Sequence, residues 1–74
     1  HQANKRIIAS AANRLHLPIE KFYIDIERYG NTSSASIPIA LDEMNRAGLL
    51  RRGDLLLLTA FGGGLASATC LLRW

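Results

Sequence analysis

The feature that most limits what this chain can fold into is a pair of apolar runs joined by glycine. Leu55-Leu56-Leu57-Leu58-Thr59-Ala60-Phe61 leads into Gly62-Gly63-Gly64, and a second run extends from Leu65 to Trp74. A short continuous apolar run between turn residues predicts a strand buried on both faces. Two such runs around a glycine-bearing loop predict a β-hairpin. A strand of that kind needs paired neighbours and a covering layer on each side. A chain of 74 residues buries only about 60% of the surface it exposes when unfolded, so its core is marginal.

The rest of the chain does not supply the missing layers. Ile7, Ile8, Ala11, Ala12 and Leu15 form one stripe at helical spacing, predicting a helix over Ala3 to Leu15 that closes before Pro18. Phe22, Ile24 and Ile26 alternate with Tyr23, Asp25 and Glu27, which predicts a strand with one apolar face. Tyr29-Gly30-Asn31-Thr32-Ser33-Ser34 is turn chemistry leading into a second helix, whose stripe is Ile37, Ala40, Leu41 and Met44. Pro38 requires that helix either to begin near it or to begin near Ser33 and bend. Gly48 is placed to end it as a left-handed cap. The predicted order is helix, strand, helix, strand, strand: an α/β architecture with a mixed sheet incomplete in this chain. Unpaired edges of such a sheet invite association with other strands.

Composition narrows the class. Hydrophobic residues make up 49% of the chain and charged residues 20%, which excludes intrinsic disorder. The longest uninterrupted apolar stretch, Leu55–Leu58, is far below the roughly 18 residues of a membrane span. Cys70 is the one cysteine, so neither an internal disulfide nor a cysteine-rich zinc site is available. No basic region precedes an apolar stretch near the start, and a soluble, cytoplasmic protein is expected. The chain opens on His1 with no Met, so His1 is expected to mark a cut. Nine Lys and Arg against six Asp and Glu give a net charge of +3, which suits an acidic partner. The doublet Arg51-Arg52 reads more readily as solvated surface charge.

Four features could carry chemistry. An imidazole at His1 suits proton exchange or hydrogen-bond donation, although a terminal histidine also reads as incidental; His16 reads as a surface residue after the first helix. The neutral amide of Asn31 could donate to a developing oxyanion, or could simply cap a helix or turn. Gly62, Gly63 and Gly64 could turn backbone N–H groups toward an anion, or form a flexible hairpin loop. Cys70, within an apolar strand, reads as an inert buried thiol.

Taken together and in order, these features are far more specific. The strings His1-Gln2-Ala3-Asn4 with Arg6-Ile7-Ile8, Tyr29-Gly30-Asn31-Thr32-Ser33, Ser36-Ile37-Pro38 with Ala40-Leu41-Asp42-Glu43, Arg52-Gly53-Asp54 and Phe61-Gly62-Gly63-Gly64 resemble the C-terminal quarter of the β-ketoacyl-acyl carrier protein synthase III family. These are the initiating condensing enzymes of bacterial fatty acid synthesis. The resemblance covers essentially all 74 residues, with Leu71-Leu72-Arg73-Trp74 similar to the family's C-terminus. After the glycine triplet many members read Thr-Trp-Gly, where this chain reads Ala66-Ser67-Ala68.

The resemblance implies part of a thiolase-type layered fold. Residues 1–74 would be the C-terminal segment of the C-terminal half-domain, without the N-terminal half and its nucleophilic cysteine; Cys70 is not that residue. The half-sheet would have strand order 3-2-1-4-5, of which this chain holds strands 3, 4 and 5. It implies His1 and Asn31 as catalytic residues and Gly63 as an oxyanion-hole N–H. Asn4 would line the coenzyme A/pantetheine tunnel, Arg6 would help dock acyl carrier protein, and Phe61 would stand beside the nucleophile. The implied reaction is decarboxylative Claisen condensation of acyl-CoA, typically acetyl-CoA, with malonyl-acyl carrier protein. The implied partners are acyl carrier protein, acyl-CoA, the remainder of the same enzyme and a second copy in a homodimer. No metal or resident cofactor, nucleic acid or membrane is expected, and the isolated segment is expected to be inactive. A related condensing enzyme of secondary metabolism, of polyketide or quinolone type, shares the same His and Asn. A small basic nucleic-acid-binding module is a distant third reading.

Overall fold

A computed structural model describes residues 1–74. Asn4 is extended (φ −160°, ψ 131°), and its side-chain oxygen accepts the Arg6 N–H at 2.8 Å. That cap satisfies one of the free donors of a first turn and starts helix α1 at Lys5–Arg14, two residues later than Ala3. The helix ends with His16 in the left-handed region (φ 56°). Its N–H reaches the Asn13 carbonyl at 3.2 Å, and the Leu17 N–H reaches that of Ala12 at 3.0 Å. This double closure satisfies carbonyls that the last turn leaves open.

The same closure ends the second long helix, Ser36–Arg46, here with the predicted glycine. Gly48 lies at φ 72°, and the N–H groups of Gly48 and Leu49 reach Asn45 and Met44 at 3.1 and 2.9 Å. Helix α3 spans Ser36–Arg46 and follows a tight turn of 3-10 helix over Ser33–Ala35. Pro38 therefore falls in the first helical turn, where its missing N–H costs no internal bond. Between α1 and α3 lies one short turn, α2 (Ile26–Tyr29).

The expected strand over Phe22–Ile26 does not form. Phe22 is extended (φ −106°, ψ 125°), but residues 22–25 pair with no other strand and helix begins at Ile26. A strand exists only through its ladder, and no neighbouring strand is available in this chain. One side chain stands in for it. Gln2 Oε1 accepts the N–H groups of Asp25 (2.9 Å) and Ile26 (3.0 Å), and Gln2 Nε2 donates to the Tyr23 carbonyl (3.1 Å).

The predicted hairpin is present. Strands β1 (Leu55–Gly62) and β2 (Ala66–Arg73) pair antiparallel from Leu55 opposite Arg73 to Gly62 opposite Ala66. They form the whole sheet, so the mixed sheet is represented by its antiparallel edge alone. Burial on both faces is not observed. Leu56, Leu58 and Ala60 are half-buried, whereas Leu55 and Leu57 are 59% and 62% exposed. Cys70 is likewise exposed, contrary to its reading as a buried thiol. Both departures have one cause: no layer of this chain covers the outer face of the hairpin. No helix is long and apolar enough to cross a membrane.

Burial is inverted relative to an ordinary domain. Ala12 is the sole buried hydrophobic residue, and the other three buried residues, Gln2, Asp25 and Ser36, are polar. We therefore expect the isolated 74-residue chain to show no cooperative unfolding transition as a monomer, because its apolar burial cannot offset chain entropy. Thermal or denaturant unfolding of a sedimentation-verified monomer checks this, and a single sharp transition would refute it.

Asp25 yields a second expectation. It is 5% exposed, and its Oδ2 has no hydrogen-bond partner. Burial, reinforced by the nearby Glu43 carboxylate and opposed by Arg28, raises its pKa above the ordinary 3.8. The folded state thus holds this proton more tightly than the unfolded chain, and stability falls as pH rises through the raised pKa. In the intact protein, Asp25→Asn should stabilise at neutral pH, where the native carboxyl must ionise in a buried site. The advantage should shrink as the carboxyl protonates in acid. Melting temperatures of both proteins from acid to neutral pH test this; a difference independent of pH would contradict it.

Candidate active site

The site residues implied by the sequence divide into two groups. His1, Asn31, Phe61 and Gly63 line one open cleft of about 500 Å³, at the junction of the chain start, the turn before α3 and the tip of the hairpin. Asn4 and Arg6 do not line it. Asn4 is occupied as the cap of α1. Arg6 is exposed on the first turn of that helix, and its guanidinium has no partner within the chain.

His1 is held at three points. Its nitrogen donates to the Thr59 carbonyl at 2.8 Å, tying the chain start to β1. Its ring Nδ1 lies 3.2 Å from the Ser33 carbonyl oxygen. A carbonyl only accepts, so this bond places a proton on Nδ1. The ring also meets Phe61 edge to face, with centroids 5.4 Å apart and planes at 77°, the favoured arrangement of aromatic pairs. Nε2 is left as the nitrogen free to meet a ligand.

Asn31 follows Gly30, whose backbone (φ 69°, ψ −159°) lies in a region accessible essentially to glycine. Its Oδ1 accepts the Ser33 N–H at 3.0 Å, an Asx turn that fixes the amide. The turn-residue reading of Asn31 is therefore realised, yet it leaves Nδ2, with both its donors, without a partner in the chain. Thr32 and the buried Ser36 pair their hydroxyl oxygens at 3.0 Å, anchoring the same turn to α3.

Gly63 begins the three-residue loop between the strands at φ 62°, and none of the backbone hydrogen bonds outside the helices and strands uses its N–H. No Asp, Glu, Lys or Arg lines the cleft. The arrangement is thus an imidazole, a carboxamide and a glycine N–H around an uncharged hollow. With the His1 ring as imidazolium, so that Nε2 also carries a proton, such a set can hydrogen-bond a carbonyl oxygen that gains negative charge.

Sequence reasoning missed Gln2, Ser33 and Thr59. The last two contribute backbone carbonyls, which carry no residue-type signal. The partners of Gln2 lie 21 to 24 positions away, so no local pattern announces them.

A polar network outside the cleft steadies the turn. Glu43 on α3 accepts from the Tyr23 hydroxyl and from the Arg28 guanidinium. The hydrogen bond from Tyr23 holds the Glu43 carboxyl below its ordinary range, and the same bond raises Tyr23. Lys5 and Glu27 add an exposed ion pair between α1 and α2, of a kind that contributes little.

Comparison with known proteins places this geometry in context. The family described as 3-Oxoacyl-[acyl-carrier-protein (ACP)] synthase III C terminal matches residues 1–74. Beta-ketoacyl-[acyl-carrier-protein] synthase III of Rhodopirellula baltica is 60% identical over 74 residues, covering 100% of this chain and 21% of that protein. The protein of the same name from Fusobacterium nucleatum is 55% identical over 74 residues, again all of this chain and 23% of the relative. The crystal structure of 3-oxoacyl-[acyl-carrier-protein] synthase III from Aquifex aeolicus superposes with a TM-score of 0.96 at 55% identity, over 100% of this chain and 24% of that one. The chain therefore spans between a fifth and a quarter of the length of the relatives it matches. Its helices and hairpin form part of the layered α/β, thiolase-type fold of that neighbour. With every residue inside the match and the backbone superposing throughout, this chain belongs to the 3-oxoacyl-[acyl-carrier-protein] synthase III C-terminal family.

Proposed function

We propose that this chain is the His/Asn-bearing C-terminal segment of a condensing enzyme that initiates fatty acid synthesis in the cytoplasm. The enzyme joins acyl-CoA, typically acetyl-CoA, to malonyl-acyl carrier protein. The observation that carries the reading is the convergence of His1, Asn31 and Gly63 on one uncharged cleft from three distant parts of the chain. The 55–60% identity to synthases of that name supports it.

The chemistry divides between this segment and the rest of the enzyme. A cysteine thiolate outside this chain attacks the acyl-CoA thioester and releases coenzyme A. Malonyl-acyl carrier protein then loses carbon dioxide, and the electron pair of the broken C–C bond passes into the thioester as an enolate. The enolate oxygen gains charge at this step, and the Nε2–H of His1 with the Nδ2–H of Asn31 stabilise it. Because Nδ1–H is engaged by the Ser33 carbonyl, Nε2 donates when the ring is the imidazolium, which matches cation to anion. The enolate carbon attacks the acyl-cysteine, its carbonyl oxygen takes up charge beside the Gly63 N–H, and the cysteine thiolate leaves. The product is a β-ketoacyl-acyl carrier protein, and no metal or resident cofactor is called for; coenzyme A enters as the substrate thioester. Phe61 orients the imidazole.

Asn4 and Arg6 belong to the approach to the site in this reading. Asn4 lies where the pantetheine arm would pass, and Arg6 offers an unpaired guanidinium to the acidic carrier protein. The whole enzyme acts as a homodimer, and the segment by itself, lacking the nucleophile, is inactive.

In the full-length enzyme, His1→Ala or Asn31→Ala should slow malonyl decarboxylation and condensation by about 10²–10³. Acylation of the nucleophile should be largely preserved, because the enolate donors act after it. Carbon dioxide release and single-turnover acylation measure the two steps, and wild-type condensation by both variants would defeat the assignment. Arg6→Glu should raise KM for the carrier-protein substrate several-fold more than KM for acyl-CoA. That difference should shrink with added salt; equal effects on both substrates would count against docking at Arg6.

A further inference from the structure

The residue beside His1 has no role in the chemistry above, yet it is 6% exposed and forms three hydrogen bonds to backbone groups more than twenty positions away. Gln2 Oε1 takes the N–H groups of Asp25 and Ile26, and its Nε2 donates to the Tyr23 carbonyl. Tyr23 and Asp25 lie just before the single turn α2 and Ile26 opens it; the turn is closed by the Gly30 N–H on the Ile26 carbonyl at 2.7 Å. Asn31 is the next residue. Two successive side chains thus reach either side of the short segment that delivers Asn31: Gln2 grips it at 23–26, and the His1 ring meets it at Ser33.

The bonding groups of Gln2 are not interchangeable with those of other residues. The site needs an acceptor for two converging N–H groups and a donor for one carbonyl, at the end of a two-methylene stem, with no net charge beside the buried Asp25. A carboxamide of glutamine meets all of these; a thioether meets none of the hydrogen bonds, and asparagine falls short by one methylene, about 1.5 Å. Glu43 holds the outer side of the same segment through Tyr23 and Arg28, so release of the inner grip lets the segment shift without detaching it.

We propose that Gln2 is a positioning residue for condensation: its carboxamide sets where Asn31 stands relative to His1 by fixing the 23–26 backbone. This rests on the reading that His1 and Asn31 act together on the malonyl thioester. A displacement of about 1 Å in a donor can cost up to about 10² in rate, so the grip matters for the decarboxylation step and not for acylation of the nucleophile.

The test uses the full-length enzyme carrying Gln2→Met and, as a milder change that keeps the polar group, Gln2→Asn. Both should slow carbon dioxide release from malonyl-acyl carrier protein, by up to about 10² for Gln2→Met and less for Gln2→Asn. Acyl-enzyme formation from acyl-CoA and KM for the carrier-protein substrate should stay near wild type. Combined with Asn31→Ala, Gln2→Met should add little further loss, because the two act through one donor. Wild-type decarboxylation in both variants, an equal fall in both half-reactions, or fully additive losses would overturn the proposal. Amide hydrogen exchange separates this outcome from failure of the functional reading. If the unsubstituted enzyme releases no carbon dioxide from malonyl-acyl carrier protein, that reading fails. Faster exchange at residues 25, 26 and 31–33 in Gln2→Asn then still supports the grip, and unchanged exchange there overturns it.

Discussion

Three hydrogen bonds from one buried carboxamide join the start of this chain to a stretch of backbone that no strand pairs. Gln2 satisfies backbone groups of Tyr23, Asp25 and Ile26, in a stretch that no strand of this chain pairs. A buried backbone group without a partner costs about 1–3 kcal/mol, so these contacts decide whether residues 22–26 hold one path. Downstream positions depend on that path. The turn α2, the left-handed Gly30, the Asx turn at Asn31 and the hydroxyl pair of Thr32 and Ser36 follow in unbroken succession.

The distribution of burial follows from how much of the layered fold this chain contains. Gln2, Asp25 and Ser36 lie inside, while Leu55, Leu57, Leu65 and Leu71 face outward. A hairpin with both faces largely uncovered cannot draw much stabilisation from apolar contact. Most long-range ties from the chain start to the rest of the chain are therefore polar, His1 to Thr59 and Ser33, Gln2 to 23–26 and Lys5 to Glu27, with the His1–Phe61 ring contact beside them. The relatives are four to five times longer than this chain.

The cleft combines rigidity with freedom from any lining carboxylate. Two of these groups are fixed by a bond made through the other end of the side chain, His1 through Nδ1 and Asn31 through Oδ1, while Gly63 opens the loop just beyond the last pair of the hairpin. Donors fixed in advance need no reorganisation when charge appears on a substrate oxygen, and the absence of a lining carboxylate avoids repelling that charge. Ser33 serves both residues, giving its N–H to Asn31 and its carbonyl to His1. Its own left-handed backbone (φ 53°) aims the two groups in those directions.

Local chemistry was legible in the sequence wherever a few neighbouring residues decide it. The period of Ile7, Ile8, Ala11 and Ala12 announced α1, Gly48 announced the end of α3, and two apolar runs around three glycines announced the hairpin, because caps, turns and helical faces are set within a few positions. The ordered motifs also announced the family. The alternation from Phe22 to Glu27 was read as a strand, yet a strand is a property of two segments, and the second is not in this chain. Likewise an apolar run records that burial is needed, not where the covering layer comes from, so Leu57 and Cys70 were expected inside and lie outside. The family resemblance implied one site for His1, Asn31, Phe61 and Gly63, and the tertiary structure brings them to one cleft while making Asn4 a helix cap. That structure also made Gln2 the side chain that stands in for a strand, because contacts spanning more than twenty residues leave no periodic trace in a sequence.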